Sequence, residues 1–170
     1  TFEGEPLSFL SVPGAKDVGV EVHSLSKGFD MIGWRIGWVC GHERLVQAFA
    51  DVKDNSDSGQ FIAVQKAAAA ALDDESIPNA IREKYRRRLT KLVDTLKSCG
   101  FQCEMPGGSY FLYTKSPTGT EGGETFDTGE AASQHLITQQ SIVTVPWDDA
   151  GPFLRFSVTY EAANEAEEDA

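Results

Sequence analysis

A chain of 170 residues allows one ordinary domain or parts of two, and its 41% apolar content is enough to build a core. A net charge of −11 argues against nucleic acid and anionic membrane as partners, both of which call for a positive surface. No apolar run is long enough to cross a bilayer, and no basic-then-apolar secretory leader is visible.

The three cysteines, Cys40, Cys99 and Cys103, show no metal-binding spacing, so no metal is expected. Their odd number argues against a disulfide framework and for a reduced, cytoplasmic setting in which they act as small buried hydrophobes. The chain opens without Met in the turn-like phrase Thr1-Phe-Glu-Gly-Glu-Pro6 and stops in mid-pattern at Asn164-Glu-Ala-Glu-Glu-Asp-Ala170. Both ends read as truncated.

Residues 1–17 read as loop, with Pro6, Pro13 and Gly14. Val18 to His23 is a β-branched run and predicts a strand. After a short loop, Gly33 to Cys40 is nearly continuously apolar, the pattern of a strand buried on both faces. A helix is predicted from about His42, with Leu45, Val46, Phe49 and Ala50 spaced for one buried face. Asp57 or Ser58 can cap a second, alanine-rich helix from Gln60 to about Leu72.

Pro78 suits the first turn of a third helix. Its stripe of Ile81, Tyr85, Leu89, Leu92, Leu96 and Cys99 ends at a Gly100 cap. The basic run Arg82, Lys84, Arg86, Arg87, Arg88 and Lys91 lies off that stripe and reads as a solvated face. Phe101–Glu104 and Tyr110–Thr114 predict a pair of short strands around the hairpin-like turn Pro106-Gly-Gly108. Ser116–Gly129 is a Gly- and Thr-rich loop. Thr128 can cap a helix through Gln140. Ile142–Val145 and Phe153–Val158 predict two further strands, and the acidic tail Glu161–Ala170 can start a helix. A change of unit falls near Asp73 to Pro78, which divides the chain into residues 1–76, the end of an α/β layer, and 77–170, a small α+β domain.

One stretch carries more chemistry than the rest: Ser24-Leu-Ser26-Lys27-Gly-Phe-Asp-Met-Ile-Gly33-Trp-Arg35-Ile-Gly37. A lysine amine attacks a carbonyl only when neutral, which requires its usual pKa of about 10.4 to be lowered by burial or a nearby cation. Arg35, on a neighbouring strand, can grip a phosphate through forked hydrogen bonds, and Ser24 offers a hydroxyl to the same anion. Gly33 and Gly37 permit close backbone approach or tight turning. Taken singly, Lys27 and Arg35 are ordinary surface charges. Arg155 stands in Gly151-Pro-Phe-Leu-Arg155-Phe-Ser157 as one cation in a hydrophobic, buried-looking strand, where it needs an anion. A structural salt bridge would satisfy it, and so would a ligand.

The pattern Ser-x-Ser-Lys-x5-Gly-x-Arg-x-Gly resembles the Schiff-base lysine segment of class I/II aminotransferases, the fold-type-I pyridoxal-phosphate enzymes. The later Val145-Pro-Trp-Asp-Asp-Ala-Gly151 is similar in style to the aspartate and LL-diaminopimelate branches. The resemblance implies an α/β fold: the C-terminal part of the large cofactor-binding domain, followed by a small α+β domain entered through a long helix. It implies pyridoxal 5'-phosphate as cofactor and Lys27 as the residue that carries it covalently. Ser24 and Arg35 would hold the phosphate, with Ser26 in a supporting place, and Arg155 would hold the substrate α-carboxylate. It further implies transfer of an amino group between an amino acid and a 2-oxo acid in a homodimer. Met105-Pro-Gly-Gly108-Ser-Tyr-Phe111 resembles a family turn beside the substrate, but an ordinary hairpin turn has the same composition. Asp57-Ser58 could face a partner subunit's phosphate site or simply cap a helix.

The family's glycine-rich phosphate loop, the acidic partner of the pyridine nitrogen and an Asp-x-x-Tyr ahead of the first strand are not found. The chain by itself is therefore expected to hold the cofactor weakly and not to turn over. A β-eliminating lyase or an acyl-transferring synthase on the same scaffold, or a non-catalytic aminotransferase-like regulatory domain, remains open.

Overall fold

The computed structural model describes residues 1–168; the last two residues of the acidic tail fall outside it. The chain divides into two compact units: Thr1 with Glu3–Glu83, and Phe2 with the chain from Lys84 onward. No helix among the described residues is long and apolar enough to cross a membrane.

The first unit is built on a ribbon of two antiparallel strands, β1 (Val20–Ser24) and β2 (Gly37–Gly41), paired from Val20↔Gly41 to Ser24↔Gly37. Leu25–Gly28 follows β1 directly as the single turn α1. The second strand is shorter than predicted. Ile32–Trp34 is a 3-10 turn, and Arg35 has a left-handed backbone at φ 49°. A residue in that region cannot extend a strand. β2 is also half-exposed rather than covered on both faces, because an antiparallel ribbon needs only one covered side.

The core of this unit lies under α1. Leu25 is fully buried and packs with Met31, Ile36 and Ala68, against which Phe29, Val64 and Ala71 also rest. Ala68 and Ala71 come from α3 (Ile62–Leu72), whose small side chains let it lie close. α2 (Glu43–Asp54) starts where expected, with His42 Nδ1 accepting from the Arg44 N–H at 3.1 Å. Its apolar face is open, however: Leu45, Phe49 and Val52 are exposed. Periodicity identifies which side of a helix is apolar, not whether a neighbour covers it. Neither Asp57 nor Ser58 caps α3, whose N-cap is Phe61 with no side-chain bond. Asp57 instead closes the turn after α2, accepting from Gly59 N–H and Lys53 Nζ.

The long helix α4 runs Ser76–Ser98 and buries Tyr85, Leu89, Val93 and Leu96 on one face. Gly100, at φ +87°, ends it, and Phe101 N–H returns to Leu96 O at 3.0 Å. Cys99 lies beyond the last buried turn and is exposed. The predicted strand pair around Pro106 does not form, as Phe101–Glu104 is irregular. β3 (Phe111–Lys115) pairs instead with β5 (Phe153–Ser157), which also pairs with β4 (Val145–Trp147), giving an antiparallel sheet in the order β3-β5-β4. Pro106 cannot donate to a ladder, and the segment before it meets the sheet through side chains, Thr114 Oγ1 donating to Gln102 O and Phe101 meeting Phe156 edge-on.

Leu112, Leu154 and Phe156 are buried on one face of this sheet. α5 (Gly129–Gln140) is capped by Thr128, and Asp148 accepts from the N–H groups of Gly129 and Glu130 at the same helix end. The tail begins its helix, α6, at Glu165–Glu168.

The basic run on α4 is not wholly solvated. Arg88 is buried and donates to Val158 O, Tyr160 O and Glu168 Oε1. Arg87 reaches both Glu165 and Glu168. Hydrogen bonds from Arg87, then Arg88, hold the Glu168 carboxyl down from its usual 4.5 to about 2. Because the folded value is the lower one, the stabilisation is complete above the unfolded pKa and is lost as the pH falls from 4.5 to about 2.

Two outcomes follow from these contacts. Glu168→Gln should remove part of the acid-induced loss of stability, so that urea midpoints at neutral pH and about pH 3 lie closer together than in the parent chain. At Gly37 an added Cβ would overlap the His23 carbonyl, whereas at Gly33 it meets nothing. Gly37→Ala should therefore cost about 1–3 kcal/mol and Gly33→Ala less than about 0.5 kcal/mol, both read from urea unfolding.

Candidate active site

The pleat of β1 sends Val22 and Ser24 to one side of the ribbon and Glu21 and His23 to the other. Ser24 is the last ladder residue. Its Oγ accepts from the Ser26 N–H at 3.1 Å and donates to Ser26 Oγ at 2.9 Å, starting α1. Leu25 anchors that turn in the core, and its N–H donates to Ile36 O at 3.3 Å. Ser26 is buried beside it, while Lys27 is exposed in the same turn. The backbone therefore fixes where the lysine emerges while its side chain faces outward.

Arg35 arrives from the other strand. Ser24 pairs with Gly37, so the segments bearing Lys27 and Arg35 leave the ladder at the same end. Arg35 Nη1 donates to Ile32 O at 2.8 Å, and its carbonyl accepts from Gln60 Nε2 at 2.9 Å. Gln60 stands 25 residues away in sequence, at the foot of α3, and only the fold brings it there. Among the described residues no ion pair involves Arg35, so most of its donors face outward. Of the two glycines, Gly37 answers to a close approach, since the His23 carbonyl fills the place of a side chain; Gly33 stands in open space.

Arg155 belongs to the second unit. It lies on central strand β5, opposite Tyr113 on one side and Val145 on the other. The sequence suggested a buried cation, but Arg155 is half-buried on the open face of the sheet, the buried residues Leu154 and Phe156 pointing the other way. Its guanidinium lies 4.4 Å from the Phe111 ring centroid and 5.6 Å from that of Trp147. Tyr113 stacks on Phe153 and meets Trp147 edge-on. No carboxylate among the described residues pairs with Arg155, so the structural salt bridge that the sequence left open is not the one it makes there. Aromatic rings along a guanidinium leave its N–H edges for a planar anion. Phe111 ends the turn segment that the sequence likened to one beside the substrate, but its contact with Arg155, like that of Trp147, comes from the sheet register and not from any local pattern.

The first unit thus offers one amine, two hydroxyls and one guanidinium with unused donors at the end of a single ladder. Such a set suits a molecule carrying both a carbonyl and a phosphate. The second unit offers a guanidinium flanked by aromatic rings and paired with no carboxylate among the described residues.

Comparison with known proteins bears on the family and the fold. The family model for aminotransferase class I and II matches residues 3–167. The LL-diaminopimelate aminotransferase of Methanocaldococcus jannaschii is 52% identical over 164 residues, which is 96% of this chain and 39% of that protein. The Methanococcus maripaludis enzyme of the same name is 51% identical over 98% of this chain and 40% of its own. Among solved structures, apo-BacF from Bacillus subtilis superposes with a TM-score of 0.86 at 28% identity, covering 99% of this chain and 42% of that one. A double mutant of Thermus thermophilus aspartate aminotransferase gives 0.79 at 27% identity, over 98% and 42%. The chain spans about two fifths of the length of the relatives it matches. With its α/β architecture and its lysine segment, it belongs to the class I and II aminotransferase family.

Proposed function

We propose that this chain supplies the cofactor lysine, the phosphate-binding groups and the substrate-carboxylate arginine of a pyridoxal-phosphate-dependent aminotransferase. The observation that carries the reading is the shared ladder end, where the segments of Lys27 and Arg35 emerge together and Arg35 keeps donors unused. Residues 1–76 are then the end of the large cofactor domain and 77–170 the small domain. The whole enzyme is proposed to be a cytoplasmic homodimer. LL-diaminopimelate, which the relatives' names specify, is the proposed amino-acid substrate, with a 2-oxo acid as the other.

Arg35 would grip the cofactor phosphate through the guanidinium edge not used by Ile32, with Ser24 adding its hydroxyl and Ser26 fixing the Ser24 rotamer. When bound, pyridoxal 5'-phosphate supplies an electron sink for the bond broken at the substrate Cα. Arg155 holds the α-carboxylate in a forked pair and so sets which Cα bond is presented. Lys27 Nζ, once free, takes the Cα proton as a general base and later donates it as an acid.

Incubating the whole enzyme with pyridoxal 5'-phosphate, reducing with borohydride and mapping peptides by mass spectrometry should place a single adduct on Lys27. Adducts scattered over surface lysines, or none, would overturn the reading. Arg155→Ala should raise the KM for both the amino acid and the 2-oxo acid about 10- to 100-fold, the loss of a charge-assisted bond of about 1.5–3 kcal/mol. Release of pyruvate and ammonia instead of an exchanged amino group would identify a β-lyase on this scaffold.

A further inference from the structure

The face of the β1–β2 ribbon opposite Ser24 bears three side chains that the proposed transamination does not use. Glu21 and His23 lie two residues apart on β1 and so share that face. Cys40 is the ladder partner of Glu21 on β2. One carboxylate oxygen, one ring nitrogen and the Cys40 sulfur all lie within 4.8 Å of one another, and His23 Nε2 is 3.0 Å from Glu21 Oε2. Ligand atoms around a tetrahedral zinc ion are about 3.3–3.8 Å apart, given bond lengths of about 2.0–2.3 Å. The three donors therefore stand near the spacing of a metal site without rearrangement of the ribbon.

The surroundings support the same use. Glu21 Oε1 accepts from the Ser8 hydroxyl at 2.7 Å and the Leu10 N–H at 3.1 Å. Those bonds fix the carboxylate and leave Oε2 facing His23. The His23 ring is stacked on Trp38, with centroids 5.1 Å apart and planes 10° from parallel, which limits its rotation. Outer contacts of this kind orient the ligands of metal sites. The Glu21 side chain is 15% exposed and that of His23 is 40% exposed, so an ion can enter past the histidine and water can fill a fourth position.

We infer that Glu21, His23 and Cys40 form a binding site for a borderline-soft divalent ion, with zinc the best fit to one nitrogen, one oxygen and one thiolate. Cys40 lies 17 residues beyond His23 in sequence and reaches Glu21 only through strand pairing, so the cysteine spacing gave no sign of the site. The inference does not depend on the proposed transamination, and its test reads no enzymatic activity.

Cobalt(II) alone is titrated into the chain, and the thiolate-to-cobalt charge-transfer band and the visible d–d bands are followed. The site requires saturation at one equivalent, with an intense tetrahedral d–d spectrum and displacement by zinc. Cys40→Ser should abolish the charge-transfer band while Cys99→Ser leaves it unchanged. Ser8→Ala should weaken binding about 10-fold, the loss of an outer-shell bond. Circular dichroism establishes that each variant is folded. X-ray absorption of the zinc-loaded parent chain covers the case in which Cys40→Ser does not fold: one sulfur with nitrogen and oxygen neighbours supports the site. A sulfur-free shell, a charge-transfer band that survives Cys40→Ser, or no saturable binding would overturn it.

Discussion

The first unit depends on how one antiparallel ladder ends. Gly37 sits against the His23 carbonyl with no room for a side chain, and Ser24 opposite it turns from strand residue to helix cap. These two local facts bring a lysine-bearing turn and an arginine-bearing turn to the same place. A single methyl group at Gly37 would push the strands apart, and both turns would move with them. Leu25 and Ile36 tie the same end into the core beneath it, so that core and candidate site share one anchor.

The two cations are prepared by different means. The Arg35 guanidinium is steadied by its bond to Ile32 O, and its backbone by Gln60; the remaining donors face outward. Arg155 is held by aromatic surface, with Phe111 and Trp147 against its guanidinium. Neither arrangement neutralises the charge with a carboxylate from the described residues, which is what distinguishes both from the structural pairs of Arg87 and Arg88 with Glu168. An arginine whose charge is already matched gains little from a ligand. One held in place but unmatched gains the full bond.

Helix positions were legible from sequence because periodicity, caps and glycine stops are local. Thr128 caps α5 and Gly100 ends α4 as their residue types demand. Strands were less legible, since a short apolar run does not say which other run it pairs with. Phe101–Glu104 has strand composition yet lies beside Pro106 and forms none, while Phe111–Lys115 finds its partner 46 residues on, at Ser157↔Phe111. The residues of the lysine segment could be read because they are contiguous. The aromatic frame of Arg155, the Gln60 contact to Arg35 and the approach of Cys40 to Glu21 are products of register, and no local pattern announces them. Arg88 was misjudged: three residues after Tyr85 and four before Leu92, it shares the face of the apolar stripe rather than lying off it, and the chain beyond β5 covers it there.

The central claim is that Lys27 and Arg35 grip the two ends of one ligand. Affinities for pyridoxal 5'-phosphate and for pyridoxal, which lacks the phosphate, measured in the whole enzyme and in its Arg35→Ala variant, test it most directly. The account requires Arg35→Ala to lose about 10- to 100-fold in affinity for the phosphorylated form while its affinity for pyridoxal stays unchanged. Equal losses for the two ligands, or no loss for either, would contradict it.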